Sequence, residues 1–178
     1  RLVEPCQFRT EHLVEYPGYG ARGGSPGKDA FVAAGKSAVE SLLAADARPV
    51  FVLGESIGSG PACAIAGEMP DKIAGVAAVI PFARLAEVAQ KAMPFLPTGL
   101  LLRDKFDNVA ALAAFKSPVG VVIAAEDEVI GAEQGRALYE SLAMRKRLIV
   151  LDGASHNDFP IEPDASWYRK LGDFLLGR

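Results

Sequence analysis

Five residues, Gly54-Glu55-Ser56-Ile57-Gly58, close the apolar run Pro49-Val50-Phe51-Val52-Leu53 and open a small-residue stretch from Ile57 to Glu68. A serine set in Gly-x-Ser-x-Gly between a buried strand and a helix sits on a turn so tight that the flanking side chains must be nearly absent. Its hydroxyl is pushed clear of the sheet. The helix that follows turns its free N–H groups and positive dipole end toward the same spot. The spacing alone says little in a chain with 18 glycines. The setting carries the reading of Ser56 as a nucleophile against that of an ordinary turn serine.

The rest of the chain alternates in the same way. Arg1 to Thr10 reads as the tail of a helix. His12 to Tyr16 reads as a short strand, halted by Pro17-Gly18-Tyr19-Gly20 and a glycine-rich loop through Lys28. From Asp29 to Ala47, Phe31, Ala34, Ala38, Leu42 and Ala45 recur at helical spacing. Strands are expected at Pro49 to Leu53, Ile73 to Ile80, Val119 to Ala125 and Arg147 to Leu151. Their apolar runs suit parallel strands covered on both faces. Helices are expected at Val109 to Phe115 and Ala132 to Ala143, and a last one from a cap near Asp164 buries Trp167, Leu171, Phe174 and Leu175. The fold class is therefore α/β, a mainly parallel sheet with helices on both faces. Residues 1–178 form one domain, and 81–107 interrupt the alternation with Met93, Phe95, Leu96, Leu100 and Leu101. That interruption reads as a small cap over a pocket, or as an ordinary connecting helix pair.

In such a sheet, ligands bind at the C-terminal ends of the strands. Ser56, Asp127 and His156 each follow the C-terminal end of a different strand. A serine hydroxyl needs a base to take its proton, and His156 is the candidate. An imidazole serves as base when a carboxylate holds its other nitrogen as N–H, and Asp127 is assigned that role. Glu126 and Glu128 flank Asp127 and read as solvated loop charges; Asp158 reads as local loop structure. His12, the other of two histidines, reads as a strand-edge residue without chemistry.

Composition removes several functions. A net charge of -3 with scattered Lys and Arg gives no footprint for nucleic acid. The apolar runs stop short of the roughly eighteen residues that span a bilayer, and no leader stands at Arg1. The segment reads as soluble, and as cytoplasmic if no leader or anchor lies upstream; its oligomeric state is left open. Cys6 and Cys63 read as buried free thiols, with no CxxC metal site. The small-residue run 58–67 is packing, since neither GxGxxG nor a Walker lysine occurs, so no cofactor and no metal are expected. The chain begins Arg1-Leu2-Val3-Glu4, without methionine, and reads as the later part of a longer protein.

The order Ser, Asp, His on successive strand ends resembles the α/β-hydrolase superfamily. Glu15 to Pro26, Leu100 to Asn108 and Gly153 to Asp158 resemble the serine hydrolases grouped with the BEM46-like and ABHD12/13-like proteins. The likeness covers nearly the whole chain from about residue 11. It implies Ser56, Asp127 and His156 as a triad, the Ile57 N–H as an oxyanion donor, and a small-molecule acyl substrate. Tyr19, Phe95, Leu96 and Leu100 are the candidate pocket lining. The implied activity is cleavage of an ester, thioester or small amide through an acyl-serine. The competing readings are a catalytically inactive hydrolase-like module and a serine peptidase. Two departures stand out. The family's Gly and Pro of the acid loop are absent around Ala125 and Gly131. Its early strands and the loop giving the second oxyanion donor would precede residue 12, leaving a gap beside the strand at 49–53. Loss of one such donor costs roughly 2.7–4 kcal/mol, so these 178 residues alone are expected to be a poor enzyme.

Overall fold

The computed structural model describes residues 10–160, 162 and 165–178, with the side chain of Leu100 left out. The helix tail expected over Arg1 to Thr10 lies, apart from Thr10, outside the described residues, as do Cys6 and the cap residue Asp164. Four strands form one sheet among those described: β1 (Val50–Glu55), β2 (Ile73–Val79), β3 (Val119–Ala124) and β4 (Lys146–Leu151), in the order β1-β2-β3-β4. All three pairings are parallel, with Glu55 opposite Val79 and Val79 opposite Val122. The helices are α1 (Lys28–Ala45), α2 (Ser59–Glu68), α3 (Leu85–Ala92), α4 (Thr98–Leu101), α5 (Asn108–Leu112), α6 (Ala132–Ser141) and α7 (Ser166–Leu176).

Side chains alternate across the pleat, so neighbouring residues of β2 and β3 serve two different cores. Val76, Ala78, Val121 and Ile123 pack with Val32 and Val39 of α1, Cys63 and Ile65 of α2, Leu112 of α5 and Leu138 of α6. Ala77, Val79, Val122 and Ala124 pack on the other face against Trp167, Leu171 and Leu175 of α7. Helices thus cover both faces of a parallel sheet. The Trp167 indole N–H finds the Pro160 carbonyl at 2.7 Å, which lets a polar ring edge be buried. Cys63 is buried and unpaired, and desolvation pushes its thiol up to about 12, so it stays an inert thiol.

Two expectations are corrected. His12 to Tyr16 is not a strand. Its backbone pairs with no strand among the described residues, and the turn after it is closed by Tyr19 N–H on the Tyr16 carbonyl and Gly18 N–H on the Arg22 carbonyl. β1 is likewise less covered than an apolar run suggests: Val50, Phe51 and Val52 are half-buried and Leu53 is 57% exposed. Between 12–16 and β1 lies an open groove of about 810 Å³, walled by Val14, Tyr16, Ala38, Leu42, Val52 and Gly54 among others. A strand reads as buried from its own letters only when neighbours stand on both sides of it. β1 is an edge strand here.

Close helix packing supplies a test. A Cβ added at Gly67 in α2 would stand 2.1 Å from the Ala111 carbonyl oxygen of α5, whereas one at Gly99 in α4 would meet nothing within 4 Å. Gly67→Ala is expected to cost about 1–3 kcal/mol of stability through backbone displacement. Gly99→Ala should be neutral or gain up to ~1 kcal/mol from backbone entropy. Thermal unfolding of the two variants checks the contrast; equal melting temperatures would contradict the packing.

Candidate active site

The chain leaves β1 at Glu55 and turns at Ser56, whose φ of 51° is one of two positive values among the described non-glycine residues. A three-residue 3-10 turn, Ser56–Gly58, then feeds α2, and Ser59 N–H closes it on the Ser56 and Ile57 carbonyls. The two glycines of the pattern are not equivalent. A Cβ at Gly54 would lie 2.3 Å from the Gly58 carbonyl oxygen and 2.7 Å from Ala62, so this position excludes any side chain. A Cβ at Gly58 would meet nothing within 4 Å, and its backbone is ordinary right-handed helix. Gly54, then, is the glycine that the corner itself demands.

The corner sets Ser56 Oγ 3.0 Å from His156 Nε2. His156 Nδ1 lies 3.0 Å from Asp127 Oδ2 on its far side. Ser56 comes from the end of β1, Asp127 from the turn after β3 and His156 from the loop after β4. The last two loops are laced together. Glu126 N–H donates to the Ala154 carbonyl and Ala125 N–H to the Leu151 carbonyl. Asp127 Oδ1 accepts from the N–H groups of Val129 and Ile130, both at 2.9 Å. The carboxylate is nearly enclosed, 2% exposed against 11% for the imidazole. Burial raises the Asp127 pKa; the hydrogen bonds from His156 and from the Ile130, Val129 and Gly131 N–H groups outweigh it and hold the carboxyl below its ordinary value. An ionised carboxylate therefore faces the Nδ1 side of the ring.

Glu128, read from sequence as a solvated charge, takes the His156 backbone N–H on Oε2 at 3.3 Å. No periodicity marks it, because the bond crosses two loops. Asp158 stays local, its carbonyl accepting the Ser155 N–H. The candidate lining residues differ in exposure. Phe95 is 98% exposed, Leu96 and Tyr19 are about half exposed, and the Leu100 side chain is outside the described residues. Tyr19 lies against Phe31, ring centroids 5.8 Å apart. The 81–107 segment does carry α3 and α4, joined by Thr98 Oγ1 on Gln90 Oε1, but its Met93, Phe95, Leu96 and Leu101 face outward. Apolar content in an interruption does not say which way it points.

The fold is shared with solved structures. An esterase of Pyrococcus furiosus superposes with a TM-score of 0.73 at 20% identity, over 92% of this chain and 68% of that one. The bromoperoxidase-type protein BpoC of Mycobacterium tuberculosis, described as a putative non-heme bromoperoxidase, gives 0.68 at 18% identity over 92% and 80%. Human alpha/beta hydrolase domain-containing protein 17B is 29% identical over 164 residues, 90% of this chain and 54% of the relative. The chain has the fold of the α/β-hydrolase superfamily. An uncharacterized protein of Mycobacterium tuberculosis is 32% identical over 149 residues, 82% of this chain and 52% of the relative. The chain thus spans about half the length of the curated relatives it matches. No protein-family model matches it.

The depressed Asp127 pKa makes a signed prediction. A carboxyl whose folded-state pKa lies below the ordinary 3.8 stabilises the fold fully above that pH and loses the contribution as pH falls through the folded value. Urea unfolding should show wild type more stable than Asp127→Asn at neutral pH, with the gap closing in acid below 3.8. A gap that widens toward low pH would contradict the assignment.

Proposed function

We propose that this chain is a serine hydrolase that cleaves a carboxylic ester, thioester or small amide through an acyl-serine. The observation that carries the reading is the continuous line from Ser56 Oγ through the His156 ring to Asp127, at 3.0 Å on each side. As Ser56 Oγ attacks the acyl carbon, His156 Nε2 takes its proton, and Asp127 stabilises the imidazolium that results. The N–H of Ile57 lies next to the nucleophile and is assigned to the oxyanion that forms on the carbonyl oxygen. The tetrahedral intermediate expels the alkoxide, thiolate or amine, which leaves with the proton from His156. Water then adds to the acyl-serine with His156 again acting as base, the bond to Ser56 Oγ breaks as His156 returns the proton to it, and the carboxylic acid is released.

A relative named as an alpha/beta hydrolase domain-containing protein and a fold neighbour named as an esterase support a hydrolytic function. The half-exposed edge of β1 favours a second reading, an α/β-hydrolase-like module with little turnover of its own. A fluorophosphonate probe, which needs an activated serine, separates the two when the labelled residue is mapped. With p-nitrophenyl butyrate as substrate, Ser56→Ala and His156→Ala should each remove turnover by on the order of a thousandfold or more. The double variant should lose no more than either, because such groups act as one unit. Modest, additive losses would count against the mechanism, and a folded protein that resists the probe would favour the module.

A further inference from the structure

Two left-handed corners stand side by side at the sheet's C-terminal edge. Ser56 and Ile80 follow the paired residues Glu55 and Val79, and their φ values are 51° and 48°. An isoleucine at such an angle is a backbone outlier, since its branched Cβ crowds the following carbonyl, and it persists only where the surroundings hold it. Its N–H is held by the Val122 carbonyl at 2.7 Å. The chain beyond both corners meets one side chain, that of Asn108 at the start of α5, which is fully buried. Asn108 Nδ2 donates to the Phe82 carbonyl at 2.8 Å and to Ser59 Oγ at 3.2 Å, while its backbone N–H donates to the Ala83 carbonyl at 2.9 Å. The Phe82 carbonyl can only accept, which fixes the amide nitrogen on that side. Both amide hydrogens are used, whereas Oδ1 is buried and has no partner among the described residues. A half-satisfied buried amide is a net cost to the fold, which an apolar side chain of the same shape avoids in part.

We infer that Asn108 is a positioning residue for the Ser56 nucleophile, tying the corner after β1 to the corner after β2 through Ser59 and Phe82. Ser59 N–H closes the turn on the Ser56 carbonyl. A bond that anchors Ser59 therefore fixes the turn from which Ser56 Oγ is aimed at His156. The inference rests on the acyl-serine reading of Ser56.

The test uses the intact protein and two variants, Asn108→Leu and the milder Ser59→Ala. Labelling of Ser56 by a fluorophosphonate, expressed per folded molecule, should slow about tenfold or more in Asn108→Leu, since small misplacements of a reacting group are costly. Ester kcat should fall while KM stays, and Ser59→Ala should slow less. The double variant should be no slower than Asn108→Leu alone, because the two residues share one bond. Amide exchange at Ile57, Gly58 and Ser59 should quicken in both variants while that of β3 is unchanged. A melting temperature that drops with labelling rate and 57–59 exchange unaltered would overturn the inference and leave Asn108 as core packing. If Asn108→Leu fails to fold, Ser59→Ala decides by the same readouts. If wild type resists the probe, the hydrolase reading fails, and the exchange comparison alone decides whether Asn108 anchors the turn.

Discussion

The left-handed corner at Ser56 is the constraint on which the rest depends. A strand must end, reverse and become a helix within three residues, and a single backbone conformation does this with a side chain projecting from the sheet edge. That conformation at Ser56 costs on the order of 1–3 kcal/mol, and the branched Ile80 beside it adds a second cost of the same kind. Such strain is held only where surrounding contacts over-determine it. Here the parallel register of β1, β2 and β3 fixes where both corners begin. Gly54 then lets α2 close onto the strand where any Cβ would collide with the Gly58 carbonyl.

The three side chains that meet at the corner stand on unequal supports. Asp127 and His156 come from β3 and β4, whose following loops are bonded to each other and whose core is closed by α7. Ser56 comes from β1, which has one strand neighbour among the described residues and a groove on its other side. An open edge presents backbone groups available for pairing and is a liability that folded proteins manage by covering it. Asp127 thus follows a strand paired on both sides, whereas Ser56 and His156 follow β1 and β4, the two edge strands among the described residues.

Much of this is legible in the sequence because period and position are local properties. The runs Ile73 to Ile80 and Val119 to Ala125 read as buried strands, and β2 and β3 within them are buried, since they have neighbours on both sides. The mutual placement of Ser56, Asp127 and His156 is readable from chain order, because a parallel sheet brings all strand ends to one edge. What depends on neighbours distant in sequence is not readable. His12 to Tyr16 has the letters of a strand and no ladder to join among the described residues. Phe95 is apolar, but nothing in a loop's composition says whether a partner covers it. Glu128 and Asn108 act through bonds of 28 and 26 residues' separation, to His156 and Phe82, which no spacing rule announces. Gly58 matches a motif whose steric demand in this corner falls on Gly54.

The central claim is that an ionised Asp127 holds the His156 ring with its Nδ1 proton toward the carboxylate and its Nε2 free for Ser56. Proton NMR of the intact protein in water, with the histidine rings labelled with nitrogen-15, tests it most directly. The account predicts a far-downfield proton bonded to His156 Nδ1 that disappears in Asp127→Ala and persists in Ser56→Ala. A ring that carries its proton on Nε2 in wild type, or a downfield signal indifferent to Asp127→Ala, would contradict it.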